Sequence, residues 1–181
     1  MADSTSPQTL EPSPTVERLT TISPADMADL CDATDAAIKA GGGFGWIDLP
    51  AREILERFWS GVVAMPRRDL FVARLDGVIC GTCQLVLPPP NNQAQAHAAQ
   101  LLSHFVTPWG RSHGLSELLV ETAEKSAKKD GFKVINLDVR ETLTNSIKMY
   151  ETLGYQRIGE HPSYAIVNGE TLRGYYYYKE L

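Results

Sequence analysis

Two strand-like runs, residues 96–106 and 134–139, flank one strongly amphipathic helix, and this constrains the fold more than any other feature of the 181-residue chain. Leu115, Leu118, Leu119, Thr122, Ala123, Ser126 and Ala127 recur at the helical period, and Glu121/Lys125 and Glu124/Lys128 stand at i,i+4 on the wet side. Asp130-Gly131 ends the helix. A strand–helix–strand unit closes as a right-handed crossover, which places one parallel strand pair in mid-sheet. The second strand of the unit is mostly apolar, as expected of a position covered on both faces.

The remaining segments pair antiparallel around that unit. Residues 69–75 and 78–87 read as strands joined by Asp76-Gly77, the dipeptide of the tight hairpin turn. Pro88-Pro89-Pro90 stops the second strand, because proline cannot donate to a ladder. Upstream, residues 15–19 read as a short strand. Ser23-Pro24-Ala25-Asp26 then supplies an N-cap, a proline at the first helical position and a first-turn carboxylate. That helix runs to Gly41-Gly42-Gly43, and a second, with the stripe Ile54, Leu55, Phe58, Trp59 and Val62, follows Leu49-Pro50. Downstream, residues 145–153 form a short helix closed by Gly154. Two strands near 155–161 and 172–179 follow, with a turn at Asn168-Gly169. The order β-α-α-β-β-β-α-β-α-β-β describes an α+β fold, an α/β/α sandwich: a mixed, mostly antiparallel twisted sheet of about seven strands with helices on both faces.

One domain over residues 15–181 is expected. Residues 1–14, rich in Ser, Thr and Pro, read as a disordered tail that cannot offset its ordering entropy. A net charge of −5 gives no basic footprint for nucleic acid. No apolar run is long enough to span a membrane, and the N-terminus lacks an apolar signal core. Cys31, Cys80 and Cys83 make no disulfide framework. Cys80 and Cys83 have C-x-x-C spacing, but on a strand their odd offset places the thiols on opposite faces. Buried structural thiols are therefore expected rather than a metal or redox pair, together with a cytoplasmic location.

Chemistry concentrates where strand gives way to helix, through Thr107-Pro108-Trp109-Gly110-Arg111-Ser112-His113-Gly114. The first turn of a helix carries unpaired N–H groups and the positive end of the backbone dipole, which attract an anion. Gly114 lets backbone approach a phosphate, and Arg111 adds a cationic fork. Spacing alone leaves two readings open, a phosphate site or a plain glycine-containing connection. A Walker-type loop and the G-x-G-x-x-G fingerprint are both absent.

The segment Arg111-Ser112-His113-Gly114-Leu115-Ser116 resembles the Q/R-x-x-G-x-G/A motif of the GNAT superfamily of acyl-CoA N-acyltransferases, with Ser116 where the family prefers Gly or Ala. A second block, from Leu137 through Asn145, Tyr150, Gly154 and Tyr155, is similar to the family's N-x-x-A-x-x-x-Y-e-x-x-G-F/Y pattern, with Lys148 near the usual small residue.

The resemblance implies that the central parallel strands splay apart for CoA and that acetyl-CoA is the co-substrate, with no metal. The loop Arg111, Ser112, His113, Gly114, Leu115 and Ser116 would hold the pyrophosphate. Backbone groups of Phe105, Val106 and Thr107 would pair with pantetheine, an N–H near Val106 polarising the thioester carbonyl. Asn145 would contact the pantetheine, or alternatively cap the short helix together with Thr144. Tyr150 matches the family tyrosine near the cofactor sulfur, where a phenol can protonate the leaving thiolate; its structural alternative is a core tyrosine. Gln100 stands where family members often carry a basic glutamate. Glutamine cannot take a proton, so Gln100 would order a water, and His97 and His104 lie nearby on opposite faces by their odd offset. Phe44 and Trp46 on the glycine-rich loop, with Glu160, His161 and Tyr164 in the connection to the last strands, are candidates for an acceptor pocket. The expected function is acetyl transfer to a primary amine in a ternary complex, with a non-catalytic acyl-CoA-binding module as the alternative that Gln100 raises. The implied partner is a small-molecule amine or a peptide, without nucleic acid or membrane, and exposed sheet edges leave a homodimer open.

Overall fold

The structure, a computed structural model, describes residues 12–42 and 44–181. The expected tail over residues 1–11 lies outside the described residues. Within residues 12–14, Ser13 N–H donates to Asp76 Oδ1 at 3.0 Å, and Pro14 opens the first strand.

The elements are β1 (Pro14–Leu19), α1 (Pro24–Lys39), α2 (Arg52–Ala64), β2 (Arg68–Leu75), β3 (Val78–Val86), β4 (Ala98–Val106), α3 (Leu115–Lys129), β5 (Val134–Arg140), α4 (Thr144–Thr152), β6 (Gln156–Val167) and β7 (Glu170–Glu180). Local chemistry sets their ends. The Ser23 hydroxyl accepts from Asp26 N–H at 3.1 Å and caps α1. Asp76 (φ 51°) and Gly77 (φ 85°) both take the left-handed conformation that a two-residue hairpin turn demands.

The strands form one seven-stranded sheet in the order β1-β2-β3-β4-β5-β7-β6. Among the described residues only β4 and β5 run parallel, and they pair only at Ala98↔Val134, Ala99↔Ile135 and Gln100↔Asn136. Beyond Gln100 the two strands part. The expected mixed sheet with a splayed central pair is present.

Each face of the sheet buries its own apolar layer. On one side Leu30, Cys31 and Ala37 of α1 and Leu55, Trp59 and Val62 of α2 pack on Leu70, Val72, Ile79 and Phe105. On the other, Leu115, Leu119, Val120, Ala123 and Ala127 of α3 and Met149 and Tyr150 of α4 cover Phe71, Cys83, Leu85, Leu101, Ile135 and Leu137. Each large apolar side chain so buried contributes about 1.5–3 kcal/mol before entropy is counted. The Trp59 indole N–H, fully enclosed, donates to Thr34 Oγ1 at 3.1 Å.

Three expectations are corrected. Cys80 and Cys83 do not face opposite ways: the β2–β3 register slips next to Cys80, between Ala73↔Gly81 and Arg74↔Ile79, and both thiols join the layer beneath α3. They remain free and buried, as does Cys31. Next, β5 is not covered on both faces, since Ile135, Leu137 and Val139 are buried while Asn136 is exposed. Finally, β6 runs on to Val167, so Glu160, His161 and Tyr164 lie within a strand and not in a connection. No described helix is long and apolar enough to cross a membrane.

Candidate active site

The site is assembled where β4 leaves β5, and a bulge in β4 aims its side chains. Phe105 pairs with Thr82 but Leu102 pairs with Gln84, so β4 carries an extra residue here, and Ser103 takes φ 51°. The bulge inverts the strand's facing. Leu101 packs beneath α3, Phe105 packs on the α1–α2 side, and His104 is turned toward α3 and α4. His104 Nδ1 stands 2.7 Å from the Tyr150 hydroxyl and Nε2 3.2 Å from Ser116 Oγ. Burial lowers the imidazole to about 4 against a smaller raising effect from Ser116, and the same desolvation raises the Tyr150 phenol well above its ordinary range. Both are therefore neutral at pH 7.

Backbone alternation prepares the parted edge. Thr107 N–H donates to Cys80 O at 2.8 Å, toward β3. One residue earlier the antiparallel alternation turns the N–H of Val106 the other way, toward the gap that β5 has vacated. Thr107 has no N–H to offer there, and its hydroxyl accepts from Gly110 N–H at 3.3 Å. The Thr107 carbonyl likewise accepts from Gly110 N–H, at 3.0 Å, so both of its backbone groups are engaged within the protein.

Past β4, a 3-10 turn (Pro108–Gly110) leads into the loop before α3. Ser112 (φ 66°) and Gly114 (φ 68°) both adopt left-handed backbone. Among the described residues, the backbone N–H groups of residues 112–117 find no protein acceptor. They fan out at the positive end of a helix of 15 residues, beside the exposed Arg111. An anion fits this cradle.

A cleft of about 540 Å³ runs from this loop along Phe105 and Val106 to Asn145, Ser146 and Met149. A second cavity of about 440 Å³ continues past His104, Leu143 and Ser146 to Tyr150, Phe44, Asp138 and Tyr164. His104, Leu143, Ser146 and Gly42 line both, so the two halves are one crevice.

The second half contains a carboxylate that the sequence reading did not single out. Asp138 of β5 accepts from the Tyr164 hydroxyl through Oδ2 and from Gln100 Nε2 at 3.4 Å through Oδ1. Tyr164 reaches it across β7. The β6–β7 register shifts between His161 and Ala165, and the ring lies over Gly174, where a Cβ would come within 2.6 Å of Cδ1 and nearer still to Cγ and Cδ2. Burial and the bond to Asp138 raise the Tyr164 phenol. The period-2 facing of β5, with Asp138 between buried Leu137 and Val139, is the signal that could have found it.

The other expected residues divide between the crevice lining and the surface around it. Arg111, Ser112, Gly114, Leu115 and Ser116 line the first half. His113 turns back, its Nδ1 3.4 Å from Gly110 O. Asn145 lines the first half and does not cap α4, whose N-cap is Leu143 with no side-chain bond. Phe44 both lines the second half and stacks on Phe105, ring centres 5.2 Å apart. Trp46 instead packs edge-on against Phe58, and Glu160 pairs with Arg157 on the surface, 2.6 Å apart; neither lines the crevice. Gln100 is exposed and lines neither half, reaching the site only through Asp138. His97 is exposed; its backbone O accepts from Lys133 N–H at 2.8 Å.

Comparison with known proteins agrees with this architecture. A family model described as the acetyltransferase (GNAT) family matches residues 33–155. An uncharacterized N-acetyltransferase in the hisH-hisA intergenic region of Azospirillum brasilense is 60% identical over 128 residues, 71% of this chain and 76% of that protein. An N-acetyltransferase from Staphylococcus aureus superposes with a TM-score of 0.78 at 14% identity, covering 93% of this chain and 98% of that one. A putative acetyltransferase from Salmonella typhimurium, solved with its cofactor acetyl-CoA, superposes with a TM-score of 0.72 at 16% identity, covering 93% and 94%. With its central strands parted beside an anion cradle, the chain belongs to the acetyltransferase (GNAT) family and is an N-acetyltransferase.

Proposed function

We propose that the protein transfers an acetyl group from acetyl-CoA to a primary amine of a small molecule or peptide, by direct attack within a ternary complex. The observation that carries this reading is the crevice itself. It has unpaired backbone donors at one end, a phenol in the middle and a carboxylate at the other.

The N–H groups of residues 112–117 and Arg111 hold the pyrophosphate. Val106 offers its N–H to the thioester carbonyl, where negative charge develops. Asn145 sits beside the pantetheine path. In the acceptor half, Asp138 takes the proton that the attacking amine must shed, and Gln100 and Tyr164 hold that carboxylate in place. As the carbon–sulfur bond breaks, Tyr150 gives its proton to the sulfur. Asp138 supplies the carboxylate whose absence at Gln100 had suggested a non-catalytic module. A panel of amines, followed by thiol release from acetyl-CoA, tests the reading; tight acetyl-CoA binding without turnover on any amine would count against it.

A further inference from the structure

Tyr150 does not stand alone in the crevice. Its oxygen meets His104 Nδ1 at 2.7 Å, and His104 Nε2 meets Ser116 Oγ at 3.2 Å. Ser116 is the first-turn residue of α3 and occupies the motif position where the family resemblance leads one to expect a side chain without a hydroxyl. We propose that Ser116 and His104 are positioning residues for Tyr150: Ser116 donates to Nε2 and holds His104 protonated on Nδ1, so that this N–H donates to the phenol oxygen and leaves the phenol proton for the departing sulfur. This rests on the acetyl-transfer reading above and adds to it the device that aims the proton.

A neutral imidazole has one N–H and one acceptor nitrogen, so the three side chains can be threaded in two directions. In one, Tyr150 donates to Nδ1, Nε2–H donates to Ser116, and Ser116 donates to Met149 Sδ, 3.2 Å away. In the other, Ser116 donates to Nε2 and Nδ1–H donates to Tyr150. The two threadings differ in where the serine proton goes: to a thioether sulfur, a weak acceptor, in the first, and to an imidazole nitrogen, a strong one, in the second. Only the second direction is useful at the moment of transfer. In the first, the phenol proton points at the imidazole and nothing donates to the oxygen. In the second, the proton is free, and the charge that appears on the oxygen is met by an N–H already in place, in surroundings where an unsolvated phenolate is costly. Because burial keeps His104 neutral, it serves as a hydrogen-bond partner and not as a fixed cation.

The protons balance. The amine nitrogen bonds the carbonyl carbon, the carbon–sulfur bond breaks, and the electron pair leaves with sulfur, which takes the Tyr150 proton. Asp138 receives the surplus proton of the nitrogen and returns it through solvent to the Tyr150 oxygen. His104 and Ser116 keep their own protons throughout.

The test uses the full chain labelled with ¹⁵N-histidine, with His104 assigned by the loss of its signals in His104→Gln. In wild-type protein with acetyl-CoA and no amine, Nδ1 should resonate as the protonated nitrogen and Nε2 as the bare one. Ser116→Ala keeps the loop's backbone N–H and removes only the hydroxyl. It should reverse that pattern and lower kcat about tenfold, with the KM for acetyl-CoA within about twofold. Ser116→Thr should restore both. A bare Nδ1 in the acetyl-CoA complex, or an Ala variant with unchanged tautomer and kcat, overturns the proposal alone. Failure of the wild-type protein to bind acetyl-CoA overturns it together with the acetyl-transfer reading.

Discussion

Gly174 is the seat on which Tyr164 rests, and replacing it with alanine tests how Asp138 is held. The glycine is buried in β7, between Arg140 of β5 and His161 of β6. A Cβ there would fall within 2.6 Å of Tyr164 Cδ1 and closer to two other ring atoms, distances that no relaxed carbon pair tolerates. The tyrosine must leave, and its hydroxyl leaves Asp138 with it. Overpacking of this kind costs about 1–3 kcal/mol. At about 2–4 °C per kcal/mol for a chain of this size, the melting temperature should fall by about 2–12 °C. Because the clash is with one side chain, the penalty should be relieved in the Gly174→Ala/Tyr164→Ala double variant. Urea unfolding of the four members of the cycle should return a favourable coupling of about 1–2 kcal/mol. Turnover should fall by a similar factor in Gly174→Ala and Tyr164→Phe, about tenfold, since each removes the same donor from Asp138. Additive stabilities, or a Gly174→Ala protein as stable and active as wild type, would refute the account.

Tyr150→Phe should lower kcat by about 10²–10³ while leaving the KM for acetyl-CoA within about twofold, measured by thiol release, because Tyr150 does not line the half that contains the pyrophosphate loop. Arg111→Ala should raise the KM for acetyl-CoA about tenfold with kcat preserved, since its fork touches only the pyrophosphate in this reading. Asp138→Asn should lower the rate about 100-fold at neutral pH, and raising the pH should recover part of it as free amine accumulates. His104 sets an acid-side stability window. Its folded value of about 4 lies below the ordinary 6.5, so the unfolded chain binds the extra proton. Stability from this residue is present above about pH 6.5 and is lost as pH falls toward 4, by about 2–3 kcal/mol at most. Urea midpoints between pH 7 and pH 4 should show that slope in wild type and a shallower one in His104→Gln.

Much of this fold is legible residue by residue because local chemistry decides it. Ser23 and Pro24 start α1, Asp76-Gly77 closes the hairpin, and the leucines of α3 repeat at the helical period, each in a window of a few residues. Arg111 and Gly114 mark the anion cradle for the same reason: a helix start creates unpaired donors whatever surrounds it. The order of elements likewise leaves little freedom in topology once one crossover is recognised.

Facing, by contrast, is a sum along a strand, and one extra residue inverts it. The bulge beside Cys80 brings two thiols onto one side that strict alternation had separated, and the bulge at Ser103 turns His104 from a bystander into a neighbour of Tyr150. The third irregularity, between His161 and Ala165, lays Tyr164 over Gly174 and carries its hydroxyl across a whole strand to Asp138. No window of sequence contains both partners of any of these contacts. The amino-acid sequence alone determined the helices, the turns, the crossover and the loop whose backbone donors stand unpaired at the start of α3, because each depends on neighbours in the chain. Only the tertiary structure decided which carboxylate, imidazole and phenol share the crevice, because bulge positions and cross-strand register are settled by packing between segments far apart in sequence.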